Sequence, residues 1–331
     1  MWKICSNFAP TKFSIMRKPL HNAHFREYRW DYRQPAIYLL TFTTTDRRPL
    51  LGTLVGEAEK ARVEPSEIGW RVTNLFSNLP AYYPQLQVLS RIVMPDHFHA
   101  IVRVTAPLEH PLGYCMRGFK WACNKEWKAL SPEAYYPLFT PDFYPSRLKG
   151  PGQLQIMFDY LRDNPRRLAI KRQHPGYFRL QRNVMLEGTT CDMVGNQCLL
   201  LAQCMIAVHV RRAWNAEQTR AFMNECILAA RKGAVLISPF ISEAERAVRD
   251  EALKEHLSII VIHDKPLPEL YKPEPMYFDA CREGRILIIS PVKGHFLNKD
   301  LTYAQCKEMN ALSEAIASNS NTAPLHNVNL G

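Results

Sequence analysis

Apolar residues in the first half of the chain fall into short runs and one long periodic stretch. The run PAIYLLTFTTT at 35–45, rich in β-branched and aromatic residues, predicts a strand. LLGTLVGEAEK and IGWRVTNLF follow, and Gly52, Gly56 and Gly69 mark them as short strands or turns. LQVLSRIVM and AIVRVT flank the segment MPDHFHAIV at 94–102, which predicts paired strands there. Met116, Phe119, Cys123 and Trp127 recur at three- and four-residue steps and predict a helix over 112–130, with Lys120, Lys125 and Lys128 on its other faces. The Pro- and aromatic-rich stretch 131–152 is too broken for regular structure. A second helix, QLQIMFDYLRDN at 153–164, is expected to stop at Pro165, because proline disfavours helical geometry in the residue before it.

Beyond about residue 185 the rhythm changes. AEQTRAFMNECILAARKG reads as a helix ended by Gly233, AVLISPF as a buried strand, and SEAERAVRDEALKEH as a helix opened by a Ser242 and Glu245 capping box. SIIVIHD and RILIISP are further strands, PMYFDACREG is a short helix between them, and a last helix runs from Thr302 to Ala317. Strands that are apolar throughout and alternate with helices indicate a parallel sheet covered on both faces. The first half lacks that alternation and reads as an α+β fold.

The chain of 331 residues is long enough for two domains, and its apolar content of 47% supports a sizeable core. Charge sharpens the division. Residues 1–183 hold 27 Lys and Arg against 14 Asp and Glu, whereas 184–331 hold 15 against 17. A polyanion-binding surface is therefore expected in the first half. The nine cysteines form no CxxC pair, which argues against a disulfide scaffold or zinc ribbon and for a reducing compartment. The most apolar window, CLLLAQCMIAVHV, is far shorter than the roughly 20 residues of a membrane span. The N-terminal stretch lacks the apolar core of a signal peptide and reads as a basic arm. A soluble, cytoplasmic protein without membrane association is the expectation.

Candidate chemistry gathers at MPDHFHAIV. Side chains of a strand alternate faces, so His97 and His99 share one face, with α-carbons roughly 6–7 Å apart, while Phe98 takes the other. Two imidazoles so placed can converge on one ion, or can simply make hydrogen bonds. Tyr160 and Asn164, four residues apart, are neighbours on one face of the second helix. The Asn164 amide offers a neutral oxygen, giving with the histidines three protein contacts to a divalent ion and leaving positions for phosphate and water. A phenol is a weak nucleophile at neutral pH. Against a metal-polarised phosphodiester it can attack and form a covalent phosphotyrosine. Asp96 is a candidate hydrogen-bond acceptor that would orient a histidine. Asp159 and Asp163 flank Tyr160 and can simply decorate the exposed helix face.

These residues resemble a known family. His97, Phe98 and His99 match the His-hydrophobic-His strand of the single-tyrosine HUH transposases, especially the REP-associated tyrosine transposases, and Tyr160, Asn164 and Pro165 match their Tyr-x-x-x-Asn-Pro helix. The resemblance covers roughly residues 35–180. It implies a ferredoxin-like/HUH antiparallel sheet with helices, Mg²⁺ or Mn²⁺ at the histidines and asparagine, and a homodimer. It also implies cleavage of single-stranded or hairpin DNA through a 5′-phosphotyrosine. Arg147, Lys149, Arg162, Arg166, Arg167, Lys171 and Arg172, interleaved with Phe143, Tyr144, Tyr177 and Phe178, are the candidate DNA-binding residues.

The second half more faintly resembles the Rossmann-like domain of DNA-processing protein A, without the glycines usual at its strand-to-helix turn. Backbone amides after Ser242 could still face an anion; a scaffold or dimerisation role is the simpler reading. The expected layout is a basic arm over 1–34, a catalytic domain over 35–183, a Rossmann-like α/β domain over 190–318 and a polar tail over 319–331. The expected activity is that of a metal-dependent single-stranded DNA endonuclease and strand transferase, a transposase. The alternatives are a non-catalytic nucleic-acid-binding protein on the same fold and a zinc hydrolase, which lacks a third ligand at the usual spacing.

Overall fold

The computed structural model describes residues 27, 29–269, 271–292 and 301–319. Most of the arm expected over 1–34, and all but the first residue of the tail expected over 319–331, lie outside them. The chain forms two compact units, Met1–Ala169 and Ile170–Gly331.

In the first unit the elements run β1 (Ala36–Thr43), β2 (Gly52–Val55), β3 (Arg62–Pro65), α1 (Glu67–Ser77), α2 (Leu79–Tyr82), β4 (Leu86–Met94), β5 (His97–Val104), α3 (Leu112–Leu130), β6 (Tyr144–Arg147) and α4 (Gln153–Gln173). Four of the strands make an antiparallel sheet in the order β4-β5-β1-β6, and β2 pairs with β3. Alternation along β1 and β5 sends Tyr38, Leu40, Phe42, Phe98, Ala100 and Val102 into one core with Val72 and Phe76 of α1 and Met116, Phe119 and Cys123 of α3. Phe42 sits among five other phenylalanine rings at 5.2–6.3 Å. Burying each such ring contributes roughly 1.5–3 kcal/mol, enough to fix the register of the sheet. His97 and His99 are thereby committed to the opposite face.

Three local expectations are corrected. IGWRVTNLF is neither strand nor turn but most of α1: the Ser66 hydroxyl caps it by accepting from the Gly69 amide at 3.2 Å, and Ile68, Val72 and Phe76 are buried at four-residue steps. Gly69 is there for close approach, since a β-carbon on it would lie 2.0 Å from the Leu51 carbonyl oxygen. The broken stretch 131–152 contributes the edge strand β6, which pairs with β1. The tyrosine helix does not end before Pro165 but carries it inside, running on to Gln173. Proline removes one backbone bond there, and the Asn164 side chain adds another by donating from Nδ2 to the Tyr160 carbonyl at 2.8 Å.

The second unit holds β7 (Gln181–Leu186), β8 (Thr189–Gly195), β9 (Met205–Ala207), α5 (Ala216–Arg231), β10 (Val235–Ser238), α6 (Glu243–Lys254), β11 (Ile259–Ile262), α7 (Pro275–Arg282), β12 (Ile286–Pro291) and α8 (Tyr303–Ser318). Its mixed sheet has the order β7-β8-β12-β11-β10-β9, with β9 to β12 parallel and β8 antiparallel to β12. One face is covered by α5, α6 and α7 and the other by α8. The fold class is thus α+β, an antiparallel sheet with helices followed by a separate mixed sheet. The division between the units falls after Ala169, inside α4, so the last turn of that helix counts with the second unit, as do β7 and β8, which pair with each other and join the second sheet.

The Ser242 and Glu245 capping box is present in full, and Glu245 is buried at 3% exposure. Its carboxylate accepts from the amides of Val210, Ile241 and Ser242 at 3.0, 2.9 and 3.0 Å. The anion facing the start of α6 is therefore the chain's own side chain.

Candidate active site

β4 and β5 form a hairpin closed by Pro95 and Asp96, with Met94 opposite His97. On the other side of β5, β1 sets Thr41 opposite His99 and Thr43 opposite His97. Strand alternation puts these four side chains on the sheet face away from the phenylalanine core. The imidazoles stand with centroids 4.6 Å apart and planes at 79°. Two imidazoles ligating one ion at adjacent positions hold that kind of spacing, roughly 4–5 Å.

Each ring is oriented through Nδ1. The Asp96 Oδ1 lies 2.6 Å from His97 Nδ1, and the Thr41 hydroxyl lies 2.8 Å from His99 Nδ1. A carboxylate at Nδ1 selects the tautomer protonated there, so that the Nε2 lone pair points away as a base or ligand. Nε2 of His97 is buried without a hydrogen-bond partner, and Nε2 of His99 is buried as well. Leaving such an atom unsatisfied costs about 1–3 kcal/mol, so an electrophile at this position would recover free energy. Two imidazole nitrogens, with the neutral oxygen of Asn164 one turn beyond Tyr160 on α4, are donors a divalent ion can use. Among the described residues no group of three or more His, Cys, Asp or Glu is placed to hold a metal.

Arg47, 3.0 Å from Asp96, completes this corner. Burial pushes the Asp96 carboxyl up, but its contacts with the His97 ring and the Arg47 guanidinium outweigh it, and its pKa is lowered to about 2. The carboxylate is therefore ionised across the whole working range and holds His97 in one orientation.

α4 brings the tyrosine. The Tyr160 ring lies 5.8 Å from the His99 ring, edge to face. Asn164 is one turn further on, 7% exposed, its amide nitrogen engaged by the Tyr160 carbonyl so that the carbonyl end is its ligand-type atom. The structure thus brings together His97, His99, Asp96 and Tyr160, with Asn164 on the next turn of the same helix.

The candidate DNA-binding cations are more scattered in role. Arg147 pairs with Glu27 at 2.8 Å and covers the Trp30 ring at 3.8 Å, and Lys149 also reaches Glu27. Arg162 pairs with Asp159 while its side chain is 77% exposed. Arg166 pairs with Glu59 and Asp163, and Arg167 is buried 4.0 Å from Asp163. Lys171 lies over the Phe178 ring, and Arg172 is exposed. Of the interleaved aromatics, Phe143 belongs to the first core, and Tyr177 and Phe178 pack against the second. Sequence reasoning missed Thr41 and Arg47; the alternating threonines of TFTTT were the signal for the first, and nothing short of the fold pairs the second with Asp96.

No protein-family model matches the chain. An uncharacterised protein of Haemophilus influenzae is 19% identical over 165 residues, which cover 44% of this chain and 88% of that one. Among solved structures, a REP-associated tyrosine transposase bound to a REP hairpin is 16% identical with a TM-score of 0.31, over 42% of this chain and 72% of that one. A candidate transposase from Deinococcus radiodurans R1 gives 16% and 0.28 over 42% and 97%. DNA-processing protein A from Helicobacter pylori, with a single-stranded DNA binding mode, gives 15% and 0.31 over 43% and 67%. All of these similarities are distant. No described helix is long and apolar enough to cross a membrane.

Proposed function

We propose that the chain is a metal-dependent single-stranded DNA nicking and strand-transfer enzyme of the HUH tyrosine-transposase type. In this reading Tyr160 is the nucleophile, and His97, His99 and Asn164 hold Mg²⁺ or Mn²⁺. One observation carries it: two imidazoles 4.6 Å apart, one with a buried and unsatisfied Nε2, stand 5.8 Å from a tyrosine ring. Buried imidazole nitrogens are normally hydrogen-bonded, and the open Nε2 of His97 is the departure that supports this reading.

The ion, when bound, supplies Lewis-acid polarisation of a phosphate oxygen. Everything else falls to the chain. Asp96 selects the ligand tautomer of His97, and Thr41 orients the His99 ring. The Tyr160 oxygen attacks phosphorus, forming an O–P bond, while the bond to the 3′ oxygen of the upstream strand breaks. That oxygen leaves as a hydroxyl with a proton from water, and the phenol proton passes to solvent. Because the phosphotyrosine keeps the energy of the ester, a second 3′ hydroxyl can reverse the exchange and join a new strand. The antiparallel unit is then an HUH-type domain and the mixed sheet a Rossmann-like companion. A homodimer belongs to the same reading, and its mass in solution by light scattering tests it.

The decisive experiment is a denaturing gel of a strand labelled on the 3′ side of its cut, with Mg²⁺, Mn²⁺ or EDTA. A covalent adduct is expected with the wild type and metal, and none with Tyr160→Phe, which keeps the ring and removes only the attacking oxygen. His97→Ala and His99→Ala should lose cleavage by at least 10²-fold. Asn164→Ala should be milder, since water can replace one neutral ligand. An adduct that survives Tyr160→Phe would move the nucleophile elsewhere. DNA binding without any adduct in the wild type would favour the non-catalytic alternative.

A further inference from the structure

α3 has a second face that the proposed chemistry does not use. Its buried side, Met116, Phe119, Cys123 and Trp127, packs into the phenylalanine core. Diametrically opposite, at helical spacing, lie Tyr114, Arg117, Trp121, Lys125 and Lys128, all exposed. Tyr114 is 49% and Trp121 69% exposed, an unusual outlay of aromatic surface for one helix. At about 1.5 Å rise per residue the stripe runs roughly 20 Å.

The charges on this face are not neutralised by their own helix. The single acid of α3 is Glu126, and Arg71 of α1 holds it at 2.7 Å. Lys120, on the flank, is turned in to accepting carbonyls of Thr140 and Pro141. Arg117, Lys125 and Lys128 therefore face no carboxylate on α3, and none of them forms an ion pair among the described residues. Cations with aromatic rings interleaved at this spacing match a single-stranded nucleic acid: the cations face phosphates, and the rings offer stacking surfaces for unpaired bases. The Tyr114 ring already lies 4.5 Å from the His110 ring, so a duplex would use the cations and leave the exposed Trp121 ring unused.

We infer that the outer face of α3 is a docking surface for single-stranded DNA, separate from the tyrosine centre. The sheet lies between the two. Phe98 points to the α3 side while His97 and His99 point to the other, and the stripe stands a further helix diameter, about 10–12 Å, beyond the sheet. A strand held at Tyr160 must pass round the sheet to reach α3, so the stripe engages long strands and not short ones. The inference extends the proposed function but does not depend on chemistry at Tyr160.

The test uses the full chain and a fluorescein-labelled oligothymidylate of about 20 nucleotides, read by anisotropy across a salt series. Arg117→Glu, Lys125→Glu and Lys128→Glu together should weaken binding by at least tenfold and flatten the salt slope by about 2, at roughly 0.7 for each phosphate no longer engaged. Trp121→Ala should weaken binding by about 5- to 100-fold, and Trp121→Phe should restore most of it. All of these side chains are exposed, and circular dichroism should show an unchanged fold. Adduct formation on a strand too short to leave the tyrosine centre should be unaffected. Unchanged affinity and slope in the charge variant would overturn the inference, as would charge reversal that acts while Trp121→Ala does nothing. Tighter binding to phosphatidylserine vesicles than to the strand would overturn it too. A wild type that binds through Trp121 but forms no adduct would defeat the Tyr160 reading and leave this one intact.

Discussion

At the scale of single residues, Glu245 is the most constrained charge in the second unit. Removing its carboxylate leaves the amides of Val210, Ile241 and Ser242 without their acceptor in a site only 3% exposed. Each unsatisfied amide costs about 1–3 kcal/mol, and water entering the gap will recover part of that. Glu245→Ala should therefore destabilise the unit by about 2–5 kcal/mol in urea unfolding, and Glu245→Gln, which keeps an acceptor, by less. A neutral result for Glu245→Ala would show that the turn before α6 rearranges freely. Cysteine reactivity reports on the same packing. Burial pushes the thiols of Cys226 and Cys281 up to about 12 and that of Cys115 up to about 11, whereas Cys198 is exposed. Under native conditions at mildly alkaline pH, iodoacetamide should mark Cys198 first among the described cysteines, as mass spectrometry would show. Fast labelling of Cys281 would mean that the second core opens locally.

At the scale of elements, Gly69 separates two opposed effects. Alanine is the better helix former by about 1 kcal/mol, so Gly69→Ala would stabilise an ordinary helix. Here its β-carbon would meet the Leu51 carbonyl oxygen at 2.0 Å, and overpacking against backbone costs about 1–3 kcal/mol. A net loss in thermal stability is expected, and a gain would mean that α1 can slide away from residue 51. The same glycine explains a misreading. In sequence it resembles a turn, because nothing local distinguishes the freedom of a turn from the clearance needed by a neighbour well back along the chain. Pro165 misleads for a related reason: the rule about the preceding residue is a preference, and the packing that holds α4 together through Gln173 overrides it. What was legible rests on period alone. The pairing of His97 with His99 follows from strand alternation, and that of Tyr160 with Asn164 from the helical turn. The partners of those residues were less so, because Thr41 meets His99 only through a register set 58 residues apart. Arg147 illustrates the limit for charge, since its stacking on Trp30 is invisible to a count of cations.

At the scale of the whole molecule, the division after Ala169 changes how the chain should be cut. A fragment ending at His174, just past α4, should give the circular dichroism of a folded domain and still form the tyrosine adduct. Extension to Asn183 adds only the start of β7, whose partner β8 would be missing, and should gain no stability. An unfolded short fragment would defeat the independence of the first unit. The edges of the two larger sheets carry a different consequence, one for the crowded and partly unfolded chain. β6 has Pro145 in its middle, and β9 is three residues long. β4 is bulged between Val88 and Ser90, and β7 between Gln181 and Val184. Every outer strand of those sheets thus interrupts the row of amides that a stray chain would need in order to add itself. Refolding at high concentration should leave thioflavin T dark, and Pro145→Val, which restores one amide to an outer strand, should be the substitution that lights it.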